Sequence, residues 1–391
     1  MRHVLFLLLL PVLACSSNST TSPNATLSDA GTEGVFVDSS PGDATVTRSF
    51  HLGFTPFPYD ITQAAVDDVY TKLTTDADLY AFHTTEGVPW VEAGQGLSST
   101  EYGQALRDKW NQHRARSLPS HAVYLGLTPL DDSRQKMADY WGEAAHMPLP
   151  VPWDSYDLNT TEVKAAYLSF CREAVRFYEP EYLAIGLEVN LLRIKAPEKW
   201  GAYIELHKAT YQALKQEFPT LPIFVTFTAV DLLEGWTEAD HTTQISALAD
   251  LLPYSDYLAL SLYPYMSAHL TEPLPVGYLD QLVALAGHKP VVIAESGYPA
   301  QRTELTSLSL VFEGTEEKQA AFVQELLTAA EEQKMPFVVN FVLQDYDALW
   351  EKAGGDDVLA VWRDTGFYSE AGREREALRL WRAALATPVG L

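Results

Sequence analysis

From residue 50 onward the chain alternates, eight times over, between a short apolar run and a longer amphipathic one. The short runs fall at 51–55, 78–83, 121–127, 182–188, 222–228, 256–262, 290–295 and 336–343. Several are continuously apolar, such as Tyr182-Leu183-Ala184-Ile185 and Phe337-Val338-Val339. Strands covered on both faces of a parallel sheet read this way. The intervening segments carry helical spacing: Val66, Val69, Tyr70 and Leu73 recur at i, i+3, i+4, i+7, and so do Val323, Leu326, Leu327 and Ala330. Further helices are predicted near 160–178, 198–217, 239–252, 275–287 and 370–386, and Ser98 with Glu101 predicts a capping box opening the second helix. Eight strands, each followed by a helix, predict an α/β chain closed as a (β/α)8 TIM barrel. An open doubly wound sheet gives similar alternation, but no Walker-type or GxGxxG loop accompanies it here. The two longest inserts, 84–98 and 129–160, follow the second and third strands, on the face where such barrels build their sites.

The first residues stand outside that frame. Arg2 and His3 precede an apolar run, Val4 to Leu10, which ends in Val12-Leu13-Ala14-Cys15. The run is too short to span a bilayer, which takes about 20 apolar residues, and it reads as a secretory signal. Val-Leu-Ala-Cys resembles the lipobox of bacterial lipoproteins, which implies cleavage before Cys15 and lipid attachment to it. Residues 1–14 are therefore expected to be a signal peptide. Residues 15–48, rich in Ser, Thr, Asp, Gly and Pro, are expected to be a flexible linker, because they hold little to bury. Residues 49–391 form the single barrel domain. The expected location is the bacterial cell envelope, with the membrane reached through the lipid on Cys15 and the protein a monomer.

Composition narrows the partners. The chain is 47% hydrophobic and 12% aromatic, enough for a large core, and carries a net charge of −25. That charge opposes nucleic acid binding and favours a neutral over an acidic polymer. With Cys15 committed to lipid, Cys171 has no partner for a disulfide; it lies on an apolar helical stripe with Val163, Tyr167, Phe170, Ala174 and Val175 and reads as packing. No Cys/His cluster has zinc-ligand spacing, and neither metal nor cofactor is implied.

Two apolar strands terminate on a glutamate. The fourth runs Ala184-Ile185-Gly186-Leu187-Glu188-Val189-Asn190, and the seventh runs Val291-Val292-Ile293-Ala294-Glu295-Ser296-Gly297-Tyr298-Pro299. Strands four and seven face each other across a barrel mouth. Retaining glycosidases place two carboxyls about 5–5.5 Å apart across the scissile bond, one as acid/base and one as nucleophile. Each glutamate alone is also explained by a structural ion pair.

The layout resembles the large clan of TIM-barrel retaining glycosidases with acid/base after strand four and nucleophile after strand seven. Within it, Leu260-Ser261-Leu262-Tyr263-Pro264 and Val292-Ile293-Ala294-Glu295-Ser296-Gly297-Tyr298-Pro299 resemble the endo-β-1,4-galactanases, as does the ending Thr365-Gly366-Phe367-Tyr368 before a last helix. The resemblance implies Glu188 as acid/base, Glu295 as nucleophile, and Tyr263 as the hydrogen-bond partner that holds Glu295 in line. Three positions depart from the clan's pattern. Leu187 stands where an asparagine before the acid/base binds the sugar 2-hydroxyl, His83 stands where strand two carries an arginine, and strand eight reads Asn340-Phe341-Val342-Leu343-Gln344-Asp345 in place of a tryptophan-bearing end.

Asn190 is a candidate substitute for the lost asparagine. Trp90, Trp153 and Trp236, in loops after strands two, three and five, are candidate sugar-stacking faces. His83 and Asp60 are candidate contacts to substrate hydroxyls. Asp345 and Asp347 read as surface-loop residues, and Arg193 either pairs with a carboxylate or faces solvent. The sequence thus favours retaining hydrolysis of a neutral β-linked polysaccharide or oligosaccharide. The alternative it leaves open is a catalytically inactive barrel that binds glycan at the envelope.

Overall fold

The computed structural model describes residues 47–271 and 273–390. The signal peptide, Cys15 and nearly all of the linker lie outside the described residues. Among the described residues there are eleven strands and twelve α-helices. The barrel strands are β1 (His51–Phe54), β2 (Leu79–Thr84), β3 (Ala122–Leu127), β4 (Tyr182–Ala184), the pair β5 (Ile223–Phe224) and β6 (Thr226–Thr228), β7 (Leu258–Leu262), β8 (Val291–Ser296) and, after the hairpin β9 (Arg302–Leu305) and β10 (Leu310–Glu313), β11 (Phe337–Asn340). The sheet order is β5-β4-β3-β2-β1-β11-β8-β7-β6, parallel throughout. Since β5 and β6 are two stretches of one strand, the ring is closed, and the chain is the expected (β/α)8 barrel.

The helices around it are α1 (Gln63–Asp76), α3 (Gln104–Arg116), α4 (Thr161–Tyr178), α6 (Trp200–Glu217), α7 (His241–Leu251), α8 (Tyr278–Ala284), α9 (Glu316–Glu332) and α12 (Glu376–Leu385). Short helices α2 (Trp90–Gly94), α5 (Asn190–Lys195), α10 (Asp347–Lys352) and α11 (Asp357–Ala360) sit in the loops. Each long helix turns an apolar stripe onto the strands. In α4 the buried set is Val163, Ala166, Tyr167, Phe170, Cys171, Ala174 and Val175, so Cys171 is a packing residue, as its spacing predicts. Burying each large member of such a stripe stabilises the fold by about 1.5–3 kcal/mol. Side-chain caps fix several starts: Thr62, Asp240 and Thr315 accept from the third amide of α1, α7 and α9. The Ser98–Glu101 capping box forms, but it opens a single 3-10 turn, Ser99–Glu101; α3 begins only at Gln104.

Inside the ring a second apolar cluster fills the lumen: Leu79 and Ala81 from β2, Tyr124 from β3, Phe224 from β5 and Phe337 from β11 belong to it. Leu187 joins this cluster from just beyond β4. The strand predicted at 182–188 therefore ends early as a regular strand, and its last residues form the mouth. The C-terminal helix is locked in place by Arg382 and the Tyr368 hydroxyl, both bonded to the buried carboxylate of Asp76.

Candidate active site

Both glutamates sit where a strand gains one residue. Along β4, the Thr226 amide donates to Gly186 O and the Thr226 carbonyl accepts from Val189 N–H. In an unbroken parallel ladder those two partners are two residues apart; here they are three apart. The Glu188 amide turns instead to the Thr226 side chain, Oγ1, at 2.8 Å, and Glu188 takes φ +49°. Left-handed backbone at a non-glycine residue costs about 1–3 kcal/mol, held here by the surrounding hydrogen bonds. Along β8, Leu260 pairs with Ile293 but Ser261 pairs with Glu295. This bulge moves Glu295 onto the lumen side, where Val292 and Ala294 already point.

The two carboxyls then converge on one patch. The Ser261 hydroxyl hydrogen-bonds Glu188, and Ser261 is the register partner of Glu295. The Tyr263 hydroxyl donates to Glu295 Oε1 at 2.6 Å, and Tyr263 packs edge-on to Trp362, 6.2 Å between ring centres. Glu188 is 3% and Glu295 7% exposed. Burial raises the pKa of both. For Glu295 the charge of Glu188 adds to this, against the Tyr263 hydrogen bond and Arg134, and the carboxyl is pushed up to about 8. The Glu188 charge thus makes Glu295 harder to ionise.

Cations stand on the Glu188 side. Arg134, from the insert after β3, donates Nε to Leu187 O at 2.9 Å and Nη1 to Asp131 O at 3.1 Å, and its Nη2 lies 3.5 Å from Glu188 Oε2. Lys195, at the end of α5, also draws the Glu188 pKa down. Burial, then the charge of Arg134, brings the Lys195 ammonium down to about 8.

The remaining sequence candidates divide. His83 is half-buried at the end of β2, its ring against the Cα of Gly126, where a Cβ would meet it at 2.8 Å. Burial, reinforced by Lys109 and Arg134, pushes it down to about 4, so it is neutral. Asn190 is turned away from the mouth: its amide donates to Gln244 Oε1 at 2.9 Å and its carbonyl oxygen accepts from Thr228 N–H. It ties β6 to α7 and is spent as a sugar contact. Trp90 is fully buried, donates to Ala138 O and packs on Trp153. Both tryptophans hold the inserts together and offer no stacking face, because those inserts carry enough apolar surface to fold over them. Trp236, also buried, lines a cleft described below. Asp60 lies on the rim in an ion pair with Lys352.

Asp345 is a correction to the sequence reading: it is buried, not a surface-loop residue. Its carboxylate takes two hydrogen bonds from Arg375 and one from Gly366 N–H. Asp345, Asp347 and Asp364 each bring an oxygen to within 4.8 Å of the others. Arg375 and Arg363 already oppose that charge, so the chemistry of the cluster is that of an ion-pair network.

Sequence reasoning missed Arg134, Lys195 and Trp362. Ser261 lay inside the quoted motif, and Lys195 follows Glu188 by one helical turn and more, but Arg134 sits in an insert with no periodic signal.

No protein-family model matches the sequence, and no curated protein matches it. Solved structures do. A GH5_18 from Bifidobacterium longum subsp. infantis aligns at 14% identity with a TM-score of 0.58, over 88% of this chain and 80% of that one. An exo-β-1,4-mannosidase from Opitutaceae bacterium strain TAV5 aligns at 15% and 0.55, over 88% and 61%. A β-D-glucuronidase of Dictyoglomus thermophilum aligns at 12% and 0.50, over 87% and 50%. The chain thus spans half of the glucuronidase and about three-fifths of the mannosidase, and what it shares with all three is the barrel.

Proposed function

We propose that this chain is a retaining glycoside hydrolase acting on a neutral β-linked polysaccharide or oligosaccharide. The observation that carries the reading is the convergence of Glu188, Ser261, Glu295 and Tyr263 on one patch of the barrel mouth, each glutamate delivered by its own bulge. Glycosidases among the structural neighbours support it. Glu295 attacks the anomeric carbon from its ionised form, which a pKa of about 8 makes the minor one at neutral pH, while Glu188 gives its proton to the departing glycosidic oxygen. Glu188 then takes a proton from water, which attacks the same carbon and releases Glu295. Tyr263 draws the negative charge to Glu295, and Arg134 sits on Glu188, stabilising the anion it becomes after proton donation. An N-terminal lipid on Cys15 would hold the enzyme at the bacterial envelope; radiolabelled palmitate incorporation lost in Cys15→Ser tests that part.

Turnover of β-1,4-galactan and of a panel of aryl β-glycosides tests the main reading. The wild type is expected to hydrolyse at least one, and Glu295→Gln none, with the variant's fold and glycan affinity retained. A second reading has its own support. Leu187 occupies the lumen side of the mouth and Arg134 clamps Glu188, as a barrel that only binds glycan would tolerate. Glycan binding without turnover in the wild type is its signature.

A further inference from the structure

A cleft of about 780 Å3 opens beside Glu188, between α5, the loop after β6 and the hairpin β9–β10. Lys195, Thr228 and Asp231 line it; Thr228 pairs in register with Ser261, itself the partner of Glu295, and Lys195 and Asp231 act electrostatically on Glu188, so the cleft adjoins the acid/base side of the site. Its size is that of a small-molecule site. One side of its wall is aliphatic, with Ile194, Met266, Leu270, Leu308 and Leu310 half-buried along it, and Glu238, Ser307 and Ser309 also line it. The aromatic residues that reach it, Trp236 and Phe312, are themselves almost wholly buried in the packing, leaving no flat face for a sugar ring. Two of the polar groups along it are engaged within the protein, while Thr228 Oγ1 is buried without a hydrogen-bond partner. Thr237 Oγ1 donates to Asp231, and Ser267 Oγ donates to Pro264 O while accepting from His269 N–H. An alkyl chain laid along the aliphatic side leaves no polar group of its own unpaired.

We infer that the group leaving from Glu188 is an apolar aglycone, so that the substrate is a glycoside of an aliphatic alcohol with its hydrocarbon lodged against Met266, Leu308 and Leu310. This rests on the hydrolase reading, because the acid/base identity of Glu188 is what makes this side the leaving-group side. Bond-making is unchanged: the C1–oxygen bond breaks, the alcohol oxygen takes the Glu188 proton, and the alcohol departs through the cleft.

The test compares methyl, butyl, hexyl and octyl β-glycosides of galactose, glucose and mannose, all below their micellar concentrations. For each sugar the protein turns over, kcat/KM is expected to rise about two- to fourfold per methylene beyond butyl, and Leu310→Asp to flatten that rise. A flat series in a protein that hydrolyses the methyl glycosides overturns the inference and leaves the hydrolase standing. Should no glycoside be hydrolysed, the hydrolase reading fails, and calorimetry with octyl against methyl β-galactoside still decides the cleft. Octyl binding at least tenfold tighter supports an apolar occupant, and equal or undetectable affinities overturn it.

Discussion

Glu295 accepts the Tyr263 hydroxyl at 2.6 Å across a pair of strands whose register slips by one residue immediately below them. The slip gives Tyr263 its reach and Glu295 its direction. A hydrogen bond to a charged group contributes about 1.5–3 kcal/mol. Tyr263→Phe is therefore expected to lower kcat/KM about 10- to 150-fold with little change in fold. The bond also lowers the pKa of Glu295, so its removal moves the acidic limb of the pH–kcat/KM profile to higher pH.

Arg134 and Glu188 are both buried, and their pairing is the insert's grip on the site. Arg134→Met removes one partner and is expected to cost about 3–5 kcal/mol of stability at neutral pH, measured by denaturant titration. Arg134 draws the Glu188 pKa down; without it the carboxyl holds its proton longer. The basic limb of the activity profile then shifts upward, which a merely structural loss would not produce.

The raised pKa of Glu295 makes stability depend on pH. Its ordinary value is 4.5, and in the fold it is pushed up to about 8 by burial and then by Glu188. Between those values the folded chain holds a proton that the unfolded chain has released, so stability is full below about 4.5 and is lost as pH rises through about 8. Glu295→Gln lacks this titration. It is expected to melt a few degrees above the wild type at pH 8 and level with it at pH 4.5, read by differential scanning fluorimetry.

Asp345 and Arg375 pair at 2.6 Å with almost no exposure, beneath the loop after β11. Asp345→Asn leaves the buried guanidinium only the longer 3.9 Å approach of Glu316 for charge and is expected to destabilise by about 3–5 kcal/mol. At a temperature where the variant stays folded, its glycosidase pH profile should match the wild type, since the pair touches neither Glu188 nor Glu295.

The barrel was legible because strands buried on both faces and helices with one apolar stripe carry distinct periods. Tyr182–Ala184 and Phe337–Asn340 lie where the apolar runs place them. The glutamates were legible as charged ends of apolar strands, yet their direction was not. Strict alternation would put Glu295 with Val291 and Ile293, on the helix side, and only the bulge at Ala294 turns it inward. Bulges, like the left-handed Glu188, leave no mark in hydrophobic period. The loops misled in the other direction: Trp90 and Trp153 looked like sugar platforms, but a loop long enough to fold on itself buries its tryptophans first. Arg134 reaches the site from an insert whose course only tertiary packing sets.

The most direct test of the account is to incubate the wild type with 2-deoxy-2-fluoro-β-glycosyl fluorides of galactose, glucose and mannose, and map the labelled peptide by mass spectrometry. A fluorosugar slows breakdown of a glycosyl-enzyme and lets it accumulate. The account predicts a single covalent label on Glu295 with one of these sugars, formed also in Glu188→Gln when the leaving group is fluoride. A label on Glu188, or on another side chain, would contradict it, and so would turnover of a glycoside by Glu295→Gln.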